Sequence, residues 1–388
     1  MRSSSDERSR RAARGGERGQ QAGRGAGRGY NPAMKIESAE PISLLEARFE
    51  AQKIAFGPLI FQAARLLREL GILETLRSAR AGLELEQIVA RVDASRYGVL
   101  VLLEAGLAAN LVRLEGGHYR LTTIGACILK DDLTRINMDF VQHNCFQAIY
   151  HLEESLRKGE PAGLKKVFGE WDTIYEALSA LPEPVRASWL RWDHYYSDAS
   201  FAQALPIVFE RSPRTLLDVG GNTGKWAIRC AQHSPAVSIT ILDLPGQAAA
   251  AMRNVEGLGL QARISAQAID LLDHTRPFPE GFDAIWMSQF LVCFSEADAL
   301  QLLRRAAAAM HPDSALYILD TFWDRQEHEV AAFCLQTSSL YFTCLANGNS
   351  RMYKFSDLAV MIEAAGLQIE SVSGTLGICS SLLVCRRR

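Results

Sequence analysis

From Thr215 onward, short apolar runs alternate with amphipathic stretches of helical period. The runs at 215–219, 238–242, 264–269, 282–290 and 315–321 read as strands buried on both faces, and stretches such as Trp226–Gln232, Ala248–Leu258 and Glu296–Met310 separate them as helices. Strand–helix alternation of this kind builds a parallel sheet covered by helices. The last two runs, 368–375 and 378–385, have only a turn centred on Gly377 between them. That spacing admits an antiparallel hairpin and no crossover. The pattern predicts a doubly wound α/β unit that closes with an antiparallel strand.

The N-terminal half has a different period. Phe49, Ile54, Phe56, Leu59, Ile60, Ala63, Leu66, Leu67 and Leu70 recur at helical steps between Ile42 and Leu76. They cover more than one face, as a helix does when it packs on a partner as well as on its own domain. Leu83 to Ile88-Val89, a turn at Asp93-Ala94-Ser95, a helix over Tyr97–Leu107 and a hairpin over Leu111–Thr122 with Gly116-Gly117 at its turn follow. Helix, turn, helix and hairpin make a winged helix. The helix that would enter a DNA groove offers only Arg96 as a base before Val99, Leu100, Val101, Leu102 and Leu103, so it is a packing surface and not a reading head. Residues 134–212 read as further helices carrying Phe140, Phe146, Tyr150, Trp171, Tyr175, Trp189, Trp192, Tyr195, Tyr196, Phe201 and Phe209. These aromatics divide between a helical core and the walls of an aromatic substrate pocket.

Charge changes the picture only at the start. Residues 1–33 hold eight Arg against Asp6, Glu7 and Glu17 and almost no aliphatic side chain, so they cannot offset their ordering entropy by burial. They read as a disordered basic leader, with Met34 as the start of the folded chain. The net charge of −2 over 388 residues then leaves the remainder mildly acidic, a poor partner for nucleic acid or an anionic membrane. No apolar run reaches membrane-spanning length. The eight Cys are scattered, with neither disulfide nor zinc spacing, which fits a reducing cytoplasmic setting and no metal site. The expected divisions are 1–33, the winged-helix dimerisation domain 34–130, a helical linker and substrate wall 131–212, and the sheet domain 213–388.

The chemistry lies in Leu216-Leu217-Asp218-Val219-Gly220-Gly221-Asn222-Thr223-Gly224-Lys225-Trp226. A dinucleotide site has the spacing G-x-G-x-x-G and bare N–H groups at the helix start. Here an acid stands at the strand's end, suited to a cationic amine. A second acid, Asp243, ends the next strand in Ile241-Leu242-Asp243-Leu244, where a ribose-binding carboxylate belongs. An amine at the first strand and a ribose at the second describe S-adenosylmethionine (SAM).

With these motifs, the sequence resembles the dimeric class I small-molecule O-methyltransferases, the group of the caffeic-acid and acetylserotonin enzymes and of bacterial natural-product tailoring enzymes. The resemblance runs from about Ile42 to Cys385, through LLDVGGNTGKW, ILDLP, DAIWMSQFLVCFSEADALQLLRRAAAAM and NGNSRMYKFSDLAVMIEAAGL. It implies a Rossmann-like SAM-methyltransferase domain with an antiparallel last strand behind a winged-helix dimerisation domain, a homodimer and a small aromatic, phenolic substrate. It further implies Gly220 and Gly221 with Asp218 at the methionine end, Asp243 with Leu244 at the ribose, and Asp270 with Leu271 at the adenine. The family's catalytic His position is held by Val292, and its two orienting acids map onto Asp320 and Ser350. Valine accepts no proton, so His194, His143 or Cys293 are the replacement bases to consider. O-methylation is the expected reaction. C- or N-methylation, a non-methylating SAM-binding relative and a winged-helix ligand-sensing regulator are the alternatives.

Overall fold

The computed structural model describes residues 42–388, so the basic leader and Met34 lie outside the described residues. The chain begins with helices α1 (Leu44–Ala55), α2 (Gly57–Glu69), α3 (Ile72–Ser78), α4 (Leu85–Val89) and α5 (Arg96–Ala108), then the hairpin β1 (Val112–Glu115) and β2 (His118–Leu121), then α6 (Thr123–Lys130) and α7 (Asp132–Phe140). Ser43 and Glu46 form a reciprocal capping box that starts α1. α1 buries none of its residues, and Leu44, Leu45, Phe49 and Ile54 stand exposed on it. The hairpin turns on Gly116 and Gly117, with φ of 57° and 80°, a backbone that matches the strand twist and that side chains disfavour. Leu83 pairs with Tyr119 outside the hairpin. Leu67, Ile72, Leu73, Ile88, Val99 and Leu103 fill the core beneath it. Arg96, the one base at the start of α5, is paired with Glu86.

A helical middle section follows: a π-turn over Val141–Cys145, α8 (Leu152–Lys158), α9 (Ala162–Phe168), α10 (Ile174–Ala177) and α11 (Glu183–Phe209). The last is 27 residues long and continues through Pro206. The sheet domain then runs β3 (Thr215–Val219), α12 (Lys225–His233), β4 (Ser238–Asp243), α13 (Pro245–Gly257), β5 (Ile264–Ala268), β6 (Ala284–Ser288), α14 (Glu296–Ala309), β7 (Ala315–Thr321), α15 (Glu329–Tyr341), α16 (Phe355–Ala364), β8 (Leu367–Leu376) and β9 (Ser380–Arg387).

The strand order is β5-β4-β3-β6-β7-β9-β8. The first five are parallel, and β9 inserts antiparallel between β7 and β8. This is the expected α/β class. Two strands are shorter than their apolar runs implied. β5 stops at Ala268 and not at 269. β6 begins at Ala284 and stops at Ser288, not 282 and 290, its end being set because Gln289 takes a φ of 47° and a short 3-10 turn over Leu291–Cys293 begins. Both faces of the sheet are buried, one against α14, α16 and the helical section and the other against α12, α13 and the C-terminal half of α11. Trp226 and Trp286 stack there, with ring centroids 3.8 Å apart. Among the described residues no helix is long and apolar enough to cross a membrane.

Candidate active site

β3 lies between β4 and β6, so the chain leaves the centre of the sheet in both directions from its carboxyl end. Doubly wound folds bind ligands in the crevice at that point. A cleft opens there and extends under α11 and α15. Asp218, Gly220, Gly221, Asp243, Leu244, Asp270 and Leu271 all line it.

The two glycines have different reasons to be glycine. Gly220 has a φ of 73°, and a Cβ there would fall on the Phe290 ring. A Cβ on Gly221 would come 2.7 Å from Ile241 Cγ2 and 2.9 Å from Asp218 Oδ2. The sequence argument assigned both to close approach by a ligand. Packing within the chain already requires them.

The acids at the strand ends are buried. Asp243 accepts from the Asn222 N–H and from its neighbour Leu244 N–H, each at 2.7 Å, and burial still pushes its carboxyl up to about 6. Asp218 is worse solvated: its Oδ2 is buried without a hydrogen-bond partner. Burial and, secondarily, the charge of Asp243 push it up to about 8. An orphaned carboxylate oxygen in a cleft wall is the feature a cationic amine would satisfy, so this donor set fits the methionine end of SAM. Asp270 is exposed at the rim and accepts from Leu272 N–H at 2.9 Å.

The far half of the cleft is aromatic. Tyr175, Trp189, Trp192, Tyr341 and Phe342 form its walls. Trp189 Nε1 donates to Tyr341 Oη at 2.6 Å, which leaves the Tyr341 proton for another acceptor. The Tyr175 hydroxyl is buried without a hydrogen-bond partner. Of the aromatics read from 134–212, Tyr196 and Phe201 also reach the cleft. Phe140 stacks behind Trp192 at 4.2 Å, and Tyr150 is exposed.

Residues 149–368 match the O-methyltransferase domain, and residues 48–119 match the Dimerisation2-like domain. The chain belongs to the O-methyltransferase domain family. It is similar to the L-tyrosine C(3)-methyltransferase of Streptomyces lavendulae, 28% identical over 324 residues that make up 82% of this chain and 86% of the relative. It is also similar to the O-demethylpuromycin-O-methyltransferase of Streptomyces alboniger, 26% identical over 306 residues, 77% of this chain and 78% of the relative. Among solved structures, apo SibL, described as an S-adenosylmethionine-dependent methyltransferase, superposes with a TM-score of 0.65 at 27% identity, over 87% of this chain and 98% of that one. The chain is thus an enzyme of the SAM-dependent methyltransferase type.

The three positions that the resemblance placed at the catalytic end lie as follows. Val292 lines the cleft and is 3% exposed. Asp320, at the end of β7, lies behind it with its carboxylate toward the Val292 and Thr321 backbone N–H groups, and burial pushes it up to about 7. Its Oδ2 has no hydrogen-bond partner. Ser350 is occupied elsewhere, giving its hydroxyl to Asn347 Oδ1 at 2.8 Å, while Asn347 Nδ2 donates to Cys293 O at 2.6 Å.

The replacement bases fare differently. His143 is exposed on the π-turn and is absent from the cleft wall. Expecting it to face the substrate is corrected: Asn144 and Cys145 take the inward positions, and Asn144 is held by Ser188 Oγ at 2.9 Å. Cys293 lines the cleft, but burial raises its thiol well above the ordinary range, so it stays protonated and is no base. His194 reaches the wall with its ring nitrogens turned to Thr223 Oγ1 at 3.4 Å and Asp198 Oδ1 at 3.5 Å. Asp198 also holds Lys225 at 2.6 Å. The imidazole thus belongs to a cluster with Thr223, Asp198 and Lys225. Its neighbour Asp193, which the sequence argument passed over, also lines the cleft and accepts from Asn222 Nδ2 at 3.1 Å. Among the described residues no cluster of His, Cys, Asp and Glu is arranged to hold a metal ion.

Proposed function

We propose that this enzyme transfers the methyl group of SAM to the hydroxyl of a small phenolic metabolite held in the aromatic half of the cleft. The observation that carries the proposal is the continuity of one cleft from the buried acids at the ends of β3 and β4 to the box of Tyr175, Trp189, Trp192, Tyr341 and Phe342. Asp218 with the Gly220-Gly221 turn would hold the methionine end, Asp243 and Leu244 the ribose, and Asp270 and Leu271 the adenine. Methyl transfer by in-line displacement depends first on holding two groups at near-attack distance, and the closed aromatic walls serve that. Labelled SAM incubated with a phenol panel, with products read by mass spectrometry, tests the acceptor. Loss of SAM affinity in Asp243→Ala, by calorimetry, tests the cofactor half, and unchanged affinity there refutes it.

A second reading has its own support. Val292 removes the family's base, and a relative sharing 86% of its length with this chain is an L-tyrosine C(3)-methyltransferase. Methylation of a ring carbon ortho to a hydroxyl would use the same box, and the position of the label in the product separates the two. We further propose a homodimer through α1 and α2. The support is the matched dimerisation domain and the exposed Leu44, Leu45, Phe49, Ile54, Phe56 and Leu59 on these two helices and the residue between them, apolar side chains that a partner would cover. Eight free cysteines support a reducing, cytoplasmic setting.

A further inference from the structure

We propose that Asp193 is the proton acceptor of this enzyme, in place of the histidine that Val292 replaces. The inference rests on the phenolic acceptor proposed above. Five carboxylates line the cleft: Glu176, Asp193, Asp218, Asp243 and Asp270. Asp218 and Asp243 sit at the ends of β3 and β4 on the cofactor side, Asp270 is exposed at the rim, and Glu176 stands on the short α10.

Asp193 belongs to both halves. Its Oδ2 is tied to Asn222 of the glycine loop, and its Oδ1 accepts no hydrogen bond from the chain. On the other side it lines the same cleft as Tyr175, Tyr341 and Cys293 of the aromatic half. The remaining charged groups that act on it are His194 and Asp198 on its own helix and Lys225 at the start of α12. Lys225 and the His194 ring are both paired with Asp198, so no cation competes for the free oxygen. Burial raises the Asp193 carboxyl above its ordinary value, in the direction that makes a carboxylate a stronger base.

The step balances without a further reactant. The phenolic O–H bond breaks and its proton passes to Asp193 Oδ1. The oxygen's electron pair forms the bond to the methyl carbon. The carbon–sulfur pair returns to sulfur, which goes from sulfonium to thioether. Asp193 then releases its proton to solvent.

The test compares wild type with Asp193→Asn, which keeps the shape and can still accept from Asn222. Single-turnover rates at saturating SAM are measured over a pH series with two probes, 2-naphthol and a nitrophenol already ionised at the working pH. With 2-naphthol the variant should be about 10²- to 10⁴-fold slower, the effect of losing a general base, and should lose the acidic limb of its profile. With the ionised nitrophenol it should match wild type. Calorimetric affinities for SAM, and for 2-naphthol in the presence of S-adenosylhomocysteine, should be unchanged. Asp193→Glu, which retains a carboxylate, should recover part of the 2-naphthol rate and the limb.

Equal slowing of both phenols, an unchanged 2-naphthol rate, or lost SAM affinity in the Asn variant overturns the assignment, the last marking Asp193 as a cofactor anchor. So does a Glu variant as slow as Asn. If wild-type enzyme binds SAM yet methylates no phenol, the proposed acceptor falls and this inference falls with it.

Discussion

Asp218 should make SAM binding depend on pH in a specified direction. In the free protein its carboxyl is pushed up from 3.8 to about 8, so at pH 6 only about 1% of molecules carry the charge, and at pH 8 about half do, by the ordinary tenfold change per pH unit. If the amine of SAM pairs with the ionised form, the association constant should rise about 50-fold between pH 6 and pH 8. Binding at pH 6 to 7 should release close to one proton. Calorimetry in two buffers of different ionisation enthalpy measures both quantities. The same shift fixes the sign of the stability effect. The folded state holds a proton between pH 3.8 and about 8 that the unfolded state has lost. The stabilisation by this group is therefore full below pH 3.8 and is lost progressively up to about pH 8. At pH 7 the cost is about 4 kcal/mol at 1.36 kcal/mol per pH unit. Asp218→Asn should raise the melting temperature of the apo-protein at pH 8 while abolishing the pH dependence of SAM binding. An affinity flat between pH 6 and pH 8, or an Asn variant that melts lower at pH 8, refutes the reasoning.

Three further outcomes follow from packing. Gly220→Ala combines a φ of 73° with a Cβ placed on Phe290 and should cost about 2–3 kcal/mol, from the left-handed penalty of 1–2 kcal/mol plus displacement of the ring; thermal unfolding of the apo-protein measures it. Val292→His should rescue Asp193→Asn toward 2-naphthol by roughly 10-fold or more, because the new imidazole would lie beside the unpartnered Asp320 Oδ2 and regain general-base catalysis; no gain would show that the acceptor lies out of reach of position 292. Charging α1 with Leu45→Asp and Phe49→Asp, both exposed in the single chain, should weaken self-association at least about 100-fold, roughly 3 kcal/mol for two apolar side chains no longer buried. Light scattering across micromolar concentrations checks this, and an unaltered dimer would place the interface elsewhere.

What was legible in the sequence follows from how tightly periodicity constrains each element. β3 and β7 occupy the ranges their apolar runs mark, because every residue from 315 to 321 is buried and a strand enclosed on both faces reads as a nearly continuous apolar run, in β7 broken only by Asp320 and Thr321 at its end. β6 ran two residues long at its end in the sequence because Gln289-Phe290 continues its alternation, while the turn there depends on a positive φ at Gln289 that composition does not announce. The two buried acids of the cleft were readable for a related reason: Asp243 ends β4 and Asp218 stands one residue before the end of β3, so the sheet carries both to the same edge whatever the loops do. Helix α11 offered no such constraint. Trp189, Trp192 and Tyr196 share one face of it, but Ser197, Ser200, Phe201, Ala204 and Val208 bury a face rotated from that one further along, so no single apolar stripe runs its whole length. Asp193 and His194 are adjacent in sequence but about 100° apart around the axis. Which of the two faces the acceptor is therefore set by packing against the glycine loop, where Asn222 takes Asp193 and Thr223 takes His194. A histidine is the residue expected of a base near neutral pH, which is why the sequence drew attention to His194 and not to the carboxylate beside it. Burial raises the Asp193 carboxyl and so makes it a stronger base, which is why the proposed acceptor, one residue from the histidine the sequence favoured, was not singled out by residue type.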